Sequence, residues 1–506
     1  MPSVTTHVLE APPPPVVARA GPRSEHALLP AGELTEAQAL TIIEQGREAT
    51  VFALLTLSKE RAELARQLAE KDKPDAAPEK NDAAEATPST PSGMVPVYQK
   101  ARTSRRRKKP GRKKGHPGAR RAAPDKINRW KTHQLERCPD CGGKLPAKPA
   151  RTRKRVIEDI PDTEPVATEH TIHGSWCAAC EKIVEPVVEE ALSGATIGHR
   201  LLALTAWLHY GLGNTLSQII AVLNFHLLFK LSAGGLVQMW YRLQNILYGW
   251  YEEIGSAAKQ GAVLFADETG WRVAGATHWL WCFTTGTETY YLIDRSRGWP
   301  ALMKFFTEEF AGTLITDFWG AYERVKAAAK QKCYPHLFRE LEKVDQKNSS
   351  PAWMAFRKKL KRLLRDALRL SRREAVSPEE YASRRARLDN RLDGIIEGEW
   401  KDADARRLVK RLLKYREQLF TFLDDEDVPP DNNHAEREIR PAVIIRKNSL
   451  CNRSKNGADM QAVMMSVYRT LKLRGHDPIR TMVVALREYV RTGKFPPLPA
   501  PSASLG

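Results

Sequence analysis

The chain has 506 residues, of which 80 are Lys or Arg and 60 Asp or Glu, so its formal charge is +20 and its pI is near 9.6. So basic a balance excludes an ordinary metabolic enzyme, an apolar share of 42% excludes wholesale disorder, and the length allows about three or four domains. Seven Cys are too few for a disulfide scaffold, and the opening MPSVTTHVLEAPPPP has neither the basic start nor the apolar core of a secretory signal, which predicts a reducing, cytoplasmic setting.

Residues 1–32, rich in Pro and Ala, are expected to form a disordered arm. A capping box at Thr35 and Gln38 opens a helix over 33–71, where Leu54, Leu57, Leu64 and Leu68 fall at heptad core positions with Arg61 between them. That pattern suits a short coiled coil or a plain amphipathic helix equally. A linker over 72–125 follows, and between Ala101 and Arg121 it holds 11 Lys or Arg in 21 residues with no acid. Gly and Pro prevent a helix there while Arg105, Arg106, Arg107, Lys108, Lys109, Arg112, Lys113 and Lys114 stay close together, which suits a DNA phosphate backbone.

Cys138-Pro-Asp-Cys141 and, 36 residues on, Cys177-Ala-Ala-Cys180 are two CxxC knuckles in a module expected over 126–190. Four thiolates from two tight turns supply a closed tetrahedral site for one structural Zn²⁺. The neighbouring His133, His170 and His173 are then surface residues. Residues 191–258 contain a long apolar stretch, but His209, Gly211, Gly213, Asn214 and Gln218 leave no clean membrane span of about 20 residues. Three helices are predicted instead, the third starting near Ser232. The last two have a helix-turn-helix spacing, and the third could read DNA or simply pack.

From residue 259 to 352 the pattern is β, β, β, α, β. Asp267 stands at the end of an apolar run in VLFADETGW, and Asp317 at the end of GTLITDFWGAY, where an open sheet presents working groups. Residues 353–428 form a helical insertion with an apolar face of Leu360, Leu363, Leu364, Ala367 and Leu368, a second helix capped at Ser377-Pro378, and a later one marked by Leu408, Leu412, Tyr415, Leu419 and Phe422. The final segment, 429–495, begins with a helix capped by Asn432 or Asn433 that has Glu436 in its first turn, and 496–506 is expected to be a disordered tail.

Asp267, Asp317 and Glu436 can together hold two Mg²⁺ roughly 4 Å apart, a clamp for in-line phosphoryl transfer that needs hard oxygen ligands. Glu268, Asp294 and Glu438 are rival acids. Arg440, one turn beyond Glu436, together with Arg446 and Lys447, is placed to grip phosphates, and Trp271 and Trp319 are core residues that could also stack on a distorted DNA end.

DETGW, TDFWGAY, CYPHLF, NNHAEREIRPAVIIRKNS and NGADMQAVMMSVYRTLKLRGHDP, with the two knuckles behind KKGHPGARR, resemble the transposases of the bacterial insertion sequence sixty-six family over about residues 50–490. The resemblance implies a multidomain α+β protein: a ribonuclease-H-like α/β core with a helical insertion, preceded by a zinc module and an N-terminal helix. It also implies an enzyme that cuts and joins DNA at the inverted ends of its own element, with Asp267, Asp317 and Glu436 at the family's acid positions. Cys333 and His336 match a Cys-His pair of the family, read as a core-edge element supporting the second acid. The expected partners are double-stranded DNA at element ends and target, further copies of the chain in a homodimer or higher oligomer, and small companion proteins of the element. A non-catalytic zinc-containing DNA-binding protein, a repressor or a degenerate copy, is the alternative.

Overall fold

The computed structural model describes Leu40, Ile43, Glu44, Thr50 and residues 124–160, 164–372 and 376–502. The chain divides into units 1–85 and 86–506, and every strand and helix from Ser175 onward lies in the second. The expected arm, the helix and heptads of 33–71 and the basic run from Arg105 to Lys114 lie outside the described residues, apart from those four.

A hairpin, β1 (Ser175–Cys177) and β2 (Lys182–Val184), opens the regular structure, pairing Cys177 with Lys182. Helix α1 (His199–Ala206) runs into a π-turn, and α2 (Leu216–Phe225) starts at a capping box in which Thr215 and Gln218 satisfy each other's backbone N–H. Helix α3 (Ala233–Lys259) begins where Ser232 accepts from the Gly235 N–H, as its sequence predicts. It runs for 27 residues and buries Leu236, Trp240, Leu243, Leu247 and Trp250. The stretch read as a separate helical subdomain is therefore part of a larger core, and α3 is a packing element along most of its length. Among the described residues no helix is long and apolar enough to cross a membrane.

Five strands follow: β3 (Val263–Val273), β4 (Ala276–Thr284), β5 (Thr289–Asp294), then α4 (Trp299–Phe305), β6 (Phe310–Thr316) and β7 (Ala327–Lys332). They form one sheet in the order β5-β4-β3-β6-β7, with β3, β4 and β5 antiparallel and β3, β6 and β7 parallel. Two features differ from the sequence-based expectation. Strand β3 continues six residues past Asp267, because it turns at Gly275 directly into β4; and β7, written AAAKQK, lacks the apolar alternation that marks a strand.

Helix α5 (Tyr334–Asp345) leads to the insertion: α6 (Pro351–Leu370), α7 (Pro378–Ile396), α8 (Ala403–Lys414) and the single turn α9 (Thr421–Asp424). Helix α10 (Asn433–Ser449) returns to the sheet, followed by α11 (Lys455–Leu473) and α12 (Pro478–Thr492). Helix α11 is buried almost all round, from Met460 to Leu471, so it is a central core element rather than an amphipathic cover.

Three clusters hold this together. One face of the sheet packs on α4 through Leu264, Ala266, Trp281, Phe283 and Leu314. The other face is covered in two parts: α5 and the insertion helices over Ile315, Val263 and Phe265, and α3, α10 and α11 over Trp271, Val273, Leu280, Cys282 and Tyr291. Residues 496–502 do not trail as the tail expected over 496–506. Trp250 Nε1 donates to the Pro496 carbonyl at 2.7 Å, Arg474 to that of Pro499 at 2.6 Å, and the Ser502 N–H to that of Arg474 at 2.8 Å.

Candidate active site

Alternation along the strands sorts the acids. On β3, Leu264 and Ala266 enter the α4 side, while Val263, Phe265, Trp271 and Val273 face the other way. With successive side chains on opposite faces, Asp267 belongs to the second face, in the seam between its two helical covers, and Glu268 to the first. On β6, Leu314 faces α4 and Ile315 the insertion, so Asp317 shares the face of Asp267. Parallel pairing ends at Phe265 opposite Ile315, and each acid lies two residues further on, across a strand spacing of about 4.8 Å. Asp267 therefore stands inside β3, not at its end; what ends is the neighbour, at Thr316.

Glu436 reaches the same seam from the first turn of α10, which packs on β3 and β4. Its arrival is fixed by Asn432. The side-chain amide of Asn432 donates to the Ala266 carbonyl at 2.8 Å and its backbone N–H to Cys333 Sγ at 3.2 Å, while the Cys333 N–H donates to the Thr316 carbonyl at 2.9 Å. This chain of bonds ends one residue from Asp267 on one side and one residue from Asp317 on the other. Of the two caps expected, Asn432 or Asn433, it is Asn432 that takes the N-cap position, but its side chain ties the helix to the sheet instead of capping. Lys332, 1% exposed, donates to Thr316 Oγ1 at 2.9 Å and to the Asp317 carbonyl at 3.1 Å, holding the end of β6.

Burial, and then the charges of Glu268, Asp317 and Glu436, hold the Asp267 carboxyl well above the usual carboxylate range, opposed by one hydrogen bond from the Glu268 N–H. No cation pairs with it among the described residues. The rival acids are each claimed. Glu268 accepts from Arg297 at 2.9 Å and from Tyr322 Oη at 2.7 Å, Asp294 from Lys304 Nζ at 2.5 Å, and Glu438 from Arg469 at 2.6 and 2.8 Å. A buried carboxylate without a counter-charge, beside two further acids, is what a divalent-cation site looks like without its ions.

Glu268 is pushed up to about 7 by burial and then by the charge of Asp317, against the pull of Arg297. An acid whose folded pKa exceeds its unfolded one binds more protons when folded, so its contribution to stability is lost as pH rises from about 4.5 through about 7. The metal-free protein should accordingly show a urea midpoint that falls between about pH 5 and 7, with a shallower fall in Glu268→Gln; a midpoint rising over that window contradicts it.

Beside the acids stand His336, already singled out with Cys333, and Arg339, which carries no mark of its own in the sequence. Arg339 donates to Glu436 Oε1 at 2.7 Å and to His336 Nε2 at 3.3 Å, and His336 Nδ1 lies 3.8 Å from the same Oε1. Their signal is spacing: Cys333, at the N-cap of α5, His336 and Arg339 recur every three residues, so each neighbours the next along the helix. Cys333, His336 and Glu436 bring one donor atom each within 4.8 Å of one another. Burial raises the Cys333 thiol to about 12, however, and it already accepts from Asn432, so it serves as a latch between α5 and α10.

Of the residues expected to grip phosphate, Arg440 and Lys447 are exposed and without side-chain partners among the described residues, and eleven residues of helix return Lys447 to within about 20° of Glu436. Arg446 differs: its guanidinium donates to Thr269 Oγ1 at 2.9 Å and to the Gly270 carbonyl at 2.5 Å, pinning α10 to β3. Trp271 is 2% exposed and bonded to Asn452 Oδ1 at 2.7 Å, so it is core and unavailable for stacking. Trp319 lies over Arg297, whose guanidinium carbon is 4.0 Å from its ring and 4.5 Å from that of Trp279; its indole Nε1 donates to the Arg297 carbonyl at 3.1 Å and its backbone N–H to Asp317 Oδ1 at 2.8 Å. It braces the second acid.

The knuckles are formed locally. Gly142, at φ +71°, closes the first turn, where the Cys138 N–H donates to the Gly143 carbonyl at 2.8 Å. Backbone N–H groups of Cys141 and Asp140 hold the Cys138 thiol below its usual value, and those of Cys180 and Ala179, with the Cys180 thiol, do so at Cys177. Amides aimed at sulfur stabilise the thiolate a zinc ion needs. No three of the four sulfurs come within 4.8 Å of one another.

Comparison with known proteins decides what these parts belong to. The model of the Transposase IS66 family matches residues 194–460, over half of the chain, from α1 through β3, β6 and α10. The chain belongs to the IS66 transposase family. The model of the zinc-finger binding domain of transposase IS66 matches residues 136–181, which contain all four knuckle cysteines and make the segment a zinc-finger domain. An uncharacterized protein of Sinorhizobium fredii, y4qI, is 28% identical over 254 residues, 44% of this chain and 46% of that protein; another, y4hP, is 25% identical over 392 residues, 67% of this chain and 68% of that protein. The chain thus spans about half the length of the first of these and two thirds of the second. For an IS66-type zinc finger, Cys138→Ser or Cys177→Ser should release one zinc per chain, measured by a colorimetric chelator, without lowering the melting of the sheet core; full zinc retention in both variants contradicts the four-cysteine site.

Proposed function

We propose that the chain is a DDE-type DNA transposase that binds the terminal inverted repeats of an insertion sequence and carries out metal-dependent strand cleavage and transfer. The observation that carries this reading is the sharing of one seam by Asp267, Asp317 and Glu436, delivered by β3, β6 and α10 and lacking a counter-charge at Asp267. The strand order, with three antiparallel strands and two more parallel to the first, supports a ribonuclease-H-like core. The three acids would hold two Mg²⁺, which when bound activate the attacking water or 3′-hydroxyl and stabilise the departing 3′-oxygen.

The chain's own residues do the rest. The hydrogen bonds through Asn432, Cys333 and Lys332 keep the acid-bearing segments in register, so little reorganisation is needed when charge develops. Arg440 and Lys447 extend a positive track along the Glu436 face of α10 for the DNA backbone. The basic run from Arg105 to Lys114 and the zinc finger grip the element ends, the basic run through the phosphate backbone. Work at two element ends implies a homodimer or higher oligomer, with small accessory proteins of the element as further partners, in the bacterial cytoplasm at the nucleoid.

The test is purified protein on labelled element ends, with Mg²⁺ and with chelator. Nicking or joining that needs the metal supports the enzyme. Specific binding of the ends with no metal-dependent cutting rejects it and leaves a zinc-containing DNA-binding protein.

A further inference from the structure

We propose that Arg339 is a phosphate-binding arm of the catalytic site: it holds Glu436 while divalent ions are absent and turns to a non-bridging oxygen of the scissile phosphodiester once they claim that carboxylate. The proposal rests on the reading of Asp267, Asp317 and Glu436 as the ion-holding acids.

Three observations lead to it. Among the described residues, the ion pair that joins an Arg or Lys side chain to one of the three acids is the one from Arg339 to Glu436, at 2.7 Å, so its guanidinium stands where a bound cation would take Glu436. Its side chain is 42% exposed, whereas the guanidinium partners of the rival acids Glu268 and Glu438 are 13% and 14% exposed. A cation locked inside a structural pair cannot serve a substrate; one at the mouth of the seam can. Finally, the arm is mounted on a fixed base. Helix α5 buries Leu337, Leu341 and Val344, and Arg339 Nη1 donates to His336 Nε2 at 3.3 Å. With Nε2 accepting, a neutral His336 carries its proton on Nδ1, a buried atom without a partner that faces Glu436 Oε1 at 3.8 Å. His336 therefore offers Glu436 a donor that a small side-chain shift brings within reach when Arg339 lets go.

The chemistry suits the exchange. A guanidinium fork matches two oxygens of a carboxylate or of a phosphate equally well, so replacing one by the other costs Arg339 little. The phosphodiester gains negative charge on its equatorial oxygens as it is attacked, and a cation placed there acts more strongly in the transition state than in the ground state.

The distinguishing result has two opposite signs. In Arg339→Ala the competitor for Glu436 is gone, so Mn²⁺ should bind the DNA-free protein about two- to fivefold more tightly by calorimetry, while strand transfer falls about 10²- to 10³-fold. Binding of the element end in Ca²⁺ should lose about one unit of salt slope. Arg339→Lys, which keeps the charge and loses the fork, should leave Mn²⁺ affinity near that of the wild type and recover part of the transfer rate. Unchanged Mn²⁺ affinity in Arg339→Ala overturns the proposal, and so does a parallel loss of Mn²⁺ binding and melting temperature, which marks a structural residue. Failure of the underlying reading shows elsewhere: Asp267→Asn would then bind Mn²⁺ and transfer strands as the wild type does.

Discussion

Asp267→Asn should lower strand cleavage and transfer in Mg²⁺ by more than about 10³-fold while leaving binding of the element ends nearly intact. The carboxyl lies in a buried seam with its pKa held up by Glu268, Asp317 and Glu436 in addition to burial, so a neutral amide of the same shape relieves repulsion rather than breaking a contact. Folding should be undisturbed or slightly favoured. The loss is specific to a reaction that needs negative oxygens to gather cations, and several kcal/mol of charge stabilisation disappear with one ligand. Glu436→Gln should lower transfer likewise, since it removes the charge of the third acid, while also giving up the ion pair with Arg339. Transfer retained in either variant on labelled ends would remove these acids from the chemistry.

Arg469→Ala should cost about 3–5 kcal/mol of stability, read as a lowered urea midpoint of the sheet core. Arg469, on α11, donates two hydrogen bonds to Glu438 Oε2 at 2.6 and 2.8 Å, and Glu438 is 4% exposed, on α10. Tyr291 Oη donates to the Glu438 carbonyl at 2.5 Å, so the pair lies where α10, α11 and β5 meet. Deleting the guanidinium strands a charge with neither water nor partner. Replacing both residues, as Glu438→Leu with Arg469→Met, should recover most of the loss, because a buried pair contributes little net of its desolvation. A single variant as stable as the wild type would mean that water reaches the carboxylate.

Much of this was legible from residue order. Ser232, Ser377 and Asn432 announce helix starts because a side-chain oxygen or a helix entry is a local matter. The choice of Asp267 over Glu268 follows from the two-residue period, once the apolar partners Leu264 and Ala266 are assigned to one side. What the order of residues hides is contact across distance. Strand β7 is recognisable only by its pairing with β6, since AAAKQK carries two lysines that turn inward to Tyr322, Glu323 and the end of β6. Trp271 and Arg446 resemble DNA contacts until β3 is seen to run on beneath α10, which brings Asn452 to one and Gly270 to the other. Arg339 is one of many arginines in a basic chain, and only the approach of α5 to α10 sets it apart.

The insertion has a topological consequence. The Tyr334 N–H donates to the Pro430 carbonyl at 2.9 Å, and two residues later Asn432 closes on Cys333, so the hundred or so positions in between leave and rejoin the sheet at neighbouring points. Relatives could accordingly carry longer or shorter excursions there with no shift in the spatial relation of residue 317 to residue 436, because the distance between the two is set by the clasp and not by the length of polypeptide it encloses.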